Sequence, residues 1–276
     1  MKEIEKIKYC FFDIDGTIIT KTNANVKPVL RRVEQLKKLG IISIIISGRE
    51  YDSLEEFVKK DQIDQYFYEK SLGQFGNITY SESGKNQFIH RLNSESIEKI
   101  ITFVTRRGYD YAIVCPEHIY TINKKSRIKY QMVFQVASSR LAEISSDLLK
   151  QKLKEEAVLS IYIFPNTSFN LEYLEVEGVV IRQYRKLNTV RIFPEITKKE
   201  GAAQFLFSEF KESTFQNTMF FGNDKDDVEL LEAASIGVSV RESEAEAVEA
   251  SNISLTGELV CFLDLFIEKL INWRKI

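Results

Sequence analysis

The run Tyr9-Cys10-Phe11-Phe12 is apolar or aromatic at every position and stops at Asp13. A strand with no polar face must lie inside a sheet covered on both sides, the situation of parallel strands flanked by helices. Ile41 to Ile46 repeats the pattern, broken only by Ser43, and stops at Ser47-Gly48-Arg49. Between the two, Val26 to Leu39 carries Pro28 near its start, basic residues in its later turns and Gly40 just past its end. That is the asymmetry of a helix. A second helical stretch, Tyr51 to Lys60, follows. Strand, helix, strand and helix in this order predict an α/β chain with a parallel sheet.

The middle of the chain reads differently. From about Asn77 to about Arg191, strand-like segments at 86–92, 109–114, 158–164 and 179–184 are mixed with helical ones. The clearest helix is Ser94 to Arg107, with Ser94 in the capping position, Ile97, Ile100, Ile101 and Val104 on one face, and Gly108 as its stop. The parallel pattern then resumes with a helix from Thr197 to Phe210 and a buried strand from Thr218 to Phe221. A helix from Asp227, a strand from Ile236 to Val240, a helix from Glu244, a short strand near Ile253 and a helix from Gly257 complete it. The expected architecture is a Rossmann-like parallel-sheet core domain, residues 1–80 with 190–276, interrupted by an α+β domain over residues 81–189.

Composition removes several functions. The chain has 276 residues, long enough to bury a substantial core, and 38 Lys and Arg against 40 Asp and Glu provide no positive field to hold a polyanion. Nucleic acid is therefore not an expected partner. Cys10, Cys115 and Cys261 are far apart and form no C-x-x-C pair, which suits a reducing, cytoplasmic setting. Met1 to Lys8 alternates charge with single apolar residues, unlike a signal peptide, and no apolar run approaches the roughly 20 residues of a membrane span.

In an open parallel sheet, ligands bind at the carboxyl ends of the strands. Three predicted strands end in polar loops there: Asp13-Ile14-Asp15-Gly16-Thr17, Ser47-Gly48-Arg49, and Gly222-Asn223-Asp224-Lys225-Asp226-Asp227. Thr197-Lys198-Lys199 opens the helix that re-enters the core. Gathered in one crevice, these carboxylates repel one another unless a positive charge sits among them, and a hard, oxygen-liganded cation such as Mg2+ answers that need. A phosphate added to the site needs further positive charge and donors, which Lys198, the Ser47 hydroxyl and main-chain N–H groups can supply.

These residues also carry a resemblance. Phe12-Asp13-Ile14-Asp15-Gly16-Thr17, Ser47-Gly48-Arg49, Lys198 and Gly222 to Asp227, in that order and with a large insert between the second and third, resemble the four motifs of the haloacid dehalogenase superfamily. The position of the insert, and Phe-Gly-Asn-Asp followed by Val-Glu-Leu-Leu, resemble the Cof-type phosphatase branch, in which the insert is a cap. D-x-D-G-T alone arises by chance in about 0.3% of chains this long, at roughly 5–7% frequency per fixed position. The resemblance implies that Asp13 is a nucleophile forming an aspartyl-phosphate, and that Asp15 is the acid for the leaving alkoxide and then the base for water. It also implies that Ser47, Gly48 and Lys198 hold the phosphoryl group, and that Mg2+ is bound by Asp13, the Asp15 carbonyl, Asn223 and Asp227. Dehalogenating members lack the second carboxylate, so Asp15 favours a phosphatase.

The sequence departs from the family pattern in the fourth motif, where Asn223 stands at the usual Asp and Asp224 follows; either could be the third metal ligand. Lys199 remains an alternative to Lys198, and Phe75-Gly76 stands where the family has Asn-Gly. Arg49 fits an ion pair that locks its loop as well as a substrate contact. His90 and His118 read as packed or surface histidines, and Lys124, Lys125, Arg127 and Lys129 as a solvated face. The implied partner is a small phosphoester such as a sugar phosphate, with the oligomeric state left open. A phosphoryl-accepting signalling module and a phosphosugar mutase are the alternative functions.

Overall fold

The computed structural model describes residues 4–20, 25–60, 62–81, 89–134, 140–165 and 174–274. The chain divides into two compact units, residues 1–87 with 196–276, and residues 88–195.

The first unit begins with β1 (Tyr9–Phe12), α1 (Lys27–Lys38), β2 (Ile42–Ile45), α2 (Tyr51–Lys60), β3 (Lys70–Gly73) and β4 (Ile78–Ser81). The second unit holds α3 (Ser94–Arg106), β5 (Asp110–Val114), β6 (Ile119–Thr121), α4 (Lys124–Phe134), β7 (Leu141–Glu143) and α5 (Ser146–Glu155). It ends with β8 (Ser160–Phe164), β9 (Val179–Tyr184) and β10 (Thr189–Pro194). The chain then returns to the first unit with α6 (Lys198–Phe210), β11 (Thr218–Gly222), α7 (Val228–Ala233), β12 (Ile236–Ser239), α8 (Ala245–Ala250), β13 (Ile253–Ser254) and α9 (Leu259–Arg274).

The first unit is built on a parallel five-stranded sheet in the order β13-β12-β11-β1-β2. Phe11 and Phe220 face the side where Phe205 and Leu206 of α6 and Leu230 and Leu231 of α7 close the core. Phe12 and Phe221 stack on each other at 4.6 Å, and Phe262 of α9 meets Phe221 edge-on at 5.9 Å. Both faces of β1 are covered, as its unbroken apolar run requires. Strand order runs from β1 outward to β2, and from β1 the other way through β11 to β13, so β1 lies at the switch point of the sheet.

The second unit is a six-stranded sheet in the order β7-β6-β5-β8-β10-β9, antiparallel except for β6 with β7. Alternate residues serve two cores. Tyr111 and Ile113 join Ile97, Ile100 and Val104 of α3 and Leu149 of α5, while Ala112 and Val114 join Tyr130 of α4. This mixed architecture is an α+β insert in an α/β core, the fold class expected from the sequence.

Several local expectations need correction. β10 belongs to the insert, because it pairs on both sides with insert strands β8 and β9; the second unit therefore extends to residue 195, beyond the expected 189. Of the strand expected at 86–92, residues 86–88 lie outside the described set and Ile89 to Leu92 form no strand. Asn93, not Ser94, caps α3, its Oδ1 accepting from the Ser96 N–H at 2.7 Å. The antiparallel hairpin β3–β4 is an element that the sequence pattern does not announce. The basic run at 124–129 lies on helix α4, with Lys124, Lys125 and Arg127 exposed as a solvated face, while Lys125 and Lys129 also reach Asp110.

Asp110 is buried and accepts from Lys129 at 2.9 Å, Lys125 at 3.2 Å and Asn123 at 3.2 Å. Burial alone would raise its carboxyl pKa, but the hydrogen bonds from Lys129, Asn123 and Lys125 outweigh that and hold it below the ordinary value. Its contribution to stability is therefore present above the unfolded carboxylate pKa of about 4 and is lost as pH falls through the lower folded value. Asp110→Asn is expected to destabilise the insert by about 1–2 kcal/mol at pH 7. In urea denaturation the gap from wild type should narrow at pH 3; a gap independent of pH would contradict the assignment.

Candidate active site

Parallel register brings the three loops to one edge. Phe12 lies beside Ile45 and Phe221, and the Asp13 N–H donates to the Phe221 carbonyl at 3.0 Å while the Ile46 N–H donates to the Phe12 carbonyl at 2.9 Å. Asp13, Ser47 and Asn223 therefore leave the carboxyl ends of adjacent strands at the switch point.

Lys198 binds this edge to the start of α6. Its Nζ donates to Asp13 Oδ1 at 2.7 Å and to Asp227 Oδ1 at 2.6 Å, with all three side chains buried. A capping box fixes the helix start that carries it: Thr197 Oγ1 accepts from the Glu200 N–H, and Glu200 accepts from the Thr197 N–H. Lys199 is exposed. Of the two candidate lysines, Lys198 is thus the one in the carboxylate cluster.

One ammonium faces more than one carboxylate. Burial, opposed by Lys198 and reinforced by Asp227 and Asp224, pushes Asp13 up to about 8. Burial and Asp227 push Asp224 up to about 6. Lys198 pays a burial penalty that Asp13, Asp227 and Asp224 outweigh, and its pKa rises. Asp227 also accepts the Asn223 and Asp224 N–H groups at Oδ2, at 2.7 and 3.2 Å, and so holds the fourth loop together.

The remaining predicted residues surround this cluster. Thr17 Oγ1 donates to Asn223 Oδ1 at 3.1 Å, and the Asn223 amide lies so close to Gly16 that a Cβ there would come within 2.2 Å of its Nδ2. Ser47 is buried, and its Oγ accepts from the Arg49 N–H at 3.2 Å. Asp15 is tied to Arg49 through both of its oxygens, each at 2.8 Å. Of the two readings of Arg49, the structure shows the ion pair. His118 belongs to the insert, where its Nδ1 meets Glu156 at 3.1 Å.

The profile of the haloacid dehalogenase-like hydrolases matches residues 10–257. The chain belongs to this family. A search of curated proteins finds no match. Among solved structures, a protein from Thermotoga maritima aligns with a TM-score of 0.74 and 18% identity over 94% of this chain and 97% of its own. A haloacid dehalogenase-like hydrolase from Bacteroides thetaiotaomicron gives 0.70 and 14%, over 94% and 98%. A sugar phosphatase of haloacid dehalogenase subclass IIB gives 0.67 and 16%, over 98% and 100%. At these identities the likeness is one of fold.

The residues of this haloacid dehalogenase-like hydrolase suit a hard cation on chemical grounds. Among the described residues no three Asp, Glu, His or Cys side chains converge as a metal cluster. A cation beside Asp13 would be offered the Asp15 carbonyl and the Asn223 amide as neutral oxygens, and Asp224 or Asp227 as further carboxylates. All are oxygen donors, and the excess negative charge that raises Asp13 is what a divalent ion would relieve.

The structure gives the segment around Phe75-Gly76 a role that the family pattern did not supply. Gln74, Phe75 and Gly76 have successive φ values of 49°, 61° and 88°. The Gln74 N–H donates to the Arg49 carbonyl at 2.8 Å and the Phe75 N–H to the Ser47 carbonyl at 2.9 Å, so this turn fastens the Ser47 loop. Gly76 in turn packs on Gly201, one turn into α6 from Lys198. A Cβ on Gly201 would lie 2.5 Å from the Gly76 Cα and 2.6 Å from the Phe75 carbonyl oxygen. The Lys-x-x-Gly spacing was visible in the sequence, but its partner was not. Because the opposing atoms are main chain, Gly201→Ala is expected to lower stability by about 2–3 kcal/mol, read as a fall in Tm. An unchanged Tm would show that the approach is not required.

Proposed function

We propose that this chain is a Mg2+-dependent phosphatase of small phosphorylated metabolites, working through an aspartyl-phosphate on Asp13. The observation that carries the reading is the state of Asp13 itself: a buried carboxylate at the switch point, with Oδ1 on Lys198 and, among the described residues, no hydrogen bond to Oδ2. That free oxygen is a nucleophile held in place.

In the first step Asp13 Oδ2 forms a bond to phosphorus as the ester P–O bond breaks, and Asp15 gives its proton to the leaving alkoxide. In the second, water attacks the aspartyl-phosphate, Asp15 takes the proton, and inorganic phosphate leaves with Asp13 restored. Lys198 spends two N–H groups on Asp13 and Asp227 and has a third for a phosphoryl oxygen. The Ser47 hydroxyl accepts from Arg49 N–H and can donate its own hydrogen to the same group. Magnesium held by Asp13, the Asp15 carbonyl and Asn223, with Asp227 beside them, would supply the charge that lets a phosphate dianion approach these carboxylates.

The insert has its own cores and carries none of the proposed chemical groups. The solved sugar phosphatase supports placing sugar phosphates first in a screen for phosphate release. The buried thiols of Cys10 and Cys115 suit a reducing, cytoplasmic setting. No described helix is long and apolar enough to cross a membrane. Asp13→Asn is expected to reduce 4-nitrophenyl phosphate hydrolysis at least about a thousand-fold, and EDTA should abolish it until Mg2+ is restored. Wild-type rates in the variant would remove the nucleophile assignment.

A further inference from the structure

Asp15 is an exposed carboxylate, its side chain 59% accessible, yet both of its oxygens are held. Arg49 donates from Nε to Oδ2 and from Nη2 to Oδ1, each at 2.8 Å. The fork is itself fixed at several points. Its guanidinium carbon lies 5.0 Å from the centre of the Phe57 ring, its main-chain N–H is on Ser47 Oγ, and its carbonyl accepts from Gln74. A simple exposed ion pair stabilises by at most about 1 kcal/mol and needs no such support. A planar fork on both oxygens does something a point charge cannot, which is to set the plane of the carboxyl group.

We propose that Arg49 is the positioning residue of Asp15, fixing the carboxyl group in the orientation from which it exchanges a proton with the leaving oxygen and then with water. The proposal rests on the phosphatase reading above. Arg49 acts through Asp15 and not on the phosphoryl group. Phe57, through its ring face, holds the plane of the fork. Freed from Arg49, the Asp15 side chain would turn among its staggered rotamers in solvent. A misaligned acid then loses part of the roughly 10²–10⁴-fold that proton transfer contributes.

The test uses the Mg2+-supplemented full chain and kcat/KM for two esters that differ in their need for an acid, phenyl phosphate and 4-nitrophenyl phosphate. Nitrophenolate leaves readily without a proton; phenolate does not. Arg49→Met is expected to lower kcat/KM for phenyl phosphate by about 10- to 100-fold and for the nitrophenyl ester by no more than about three-fold. Arg49→Lys should fall between, and Phe57→Leu, which leaves both charges in place, should shift the ratio the same way by less. On an Asp15→Asn background, Arg49→Met should add nothing to the ratio. Equal losses on both esters with intact Tm would assign Arg49 to phosphoryl binding and overturn the proposal, as would no loss at all. Absence of hydrolysis of either ester by the wild type would instead overturn the phosphatase reading, and the proposal with it.

Discussion

The buried ammonium of Lys198 is the contact on which the site depends. It joins Asp13, at the end of the first strand, to Asp227, in the turn after β11, from a helix that begins only after the insert has been traversed. Without it two buried carboxylates would face each other uncompensated, a situation that costs several kcal/mol. The surrounding elements are arranged to deliver that one group. The capping box fixes the first turn of α6, Phe205 and Leu206 seat the helix on Phe11 and Phe220, and the 2.7 and 2.6 Å contacts follow from that seating. Burial makes the interaction strong and also leaves the cluster with more negative charge than one lysine balances.

A second constraint is mechanical. The turn at 74–76 places two non-glycine residues in the left-handed region, each at a cost of about 1–2 kcal/mol. That cost is offset by what the turn ties together: the carbonyls of Ser47 and Arg49 on one side and, through the contact of Gly76 with Gly201, the first turn of α6 on the other. Gln74 is also held by the carboxylate of Glu50. The loop bearing Ser47 and the helix bearing Lys198 are thus fixed to each other by main-chain atoms, with little freedom to drift. Phe75 occupies the position where the family resemblance suggests Asn, and its ring fills the space above Gly48, where a Cβ would lie 2.9 Å from it.

What could be read in the sequence follows from which forces are local. β1, β2 and β11 were legible because burial on both faces leaves an apolar run with a sharp polar stop, and the stops were the site. The helix start at 27 announced itself through Pro28, whereas the capping box of Thr197 with Glu200 at the start of α6 emerged from the structure. β10 was legible as a strand but not as part of the insert, since membership depends on pairing with β8 and β9 rather than on its own residues. The β3–β4 hairpin was hidden because its turn uses Gln74 and Phe75 at positive φ, conformations that ordinary turn rules assign to Gly or Asn. The exclusion of Lys199, and the engagement of Arg49 with Asp15, needed three dimensions. Both depend on contacts between residues separated by long stretches of chain.

The same charge arithmetic makes sense of Asn223, the departure that stood out in the fourth motif. Its main-chain N–H is already bound to Asp227 Oδ2, its Oδ1 accepts from Thr17, and its amide is packed against Gly16. A carboxylate in that place would keep these contacts but add a charge to a cluster whose Asp13 is already pushed up to about 8 by burial and by Asp227 and Asp224. Neutral oxygen at 223 lets the loop close on protein contacts alone, while remaining a donor that a hard cation accepts. The loop's geometry is therefore set by Asp227 and Thr17 before any ion is bound, and Asn223 adds no further charge to those of Asp224 and Asp227 around Asp13.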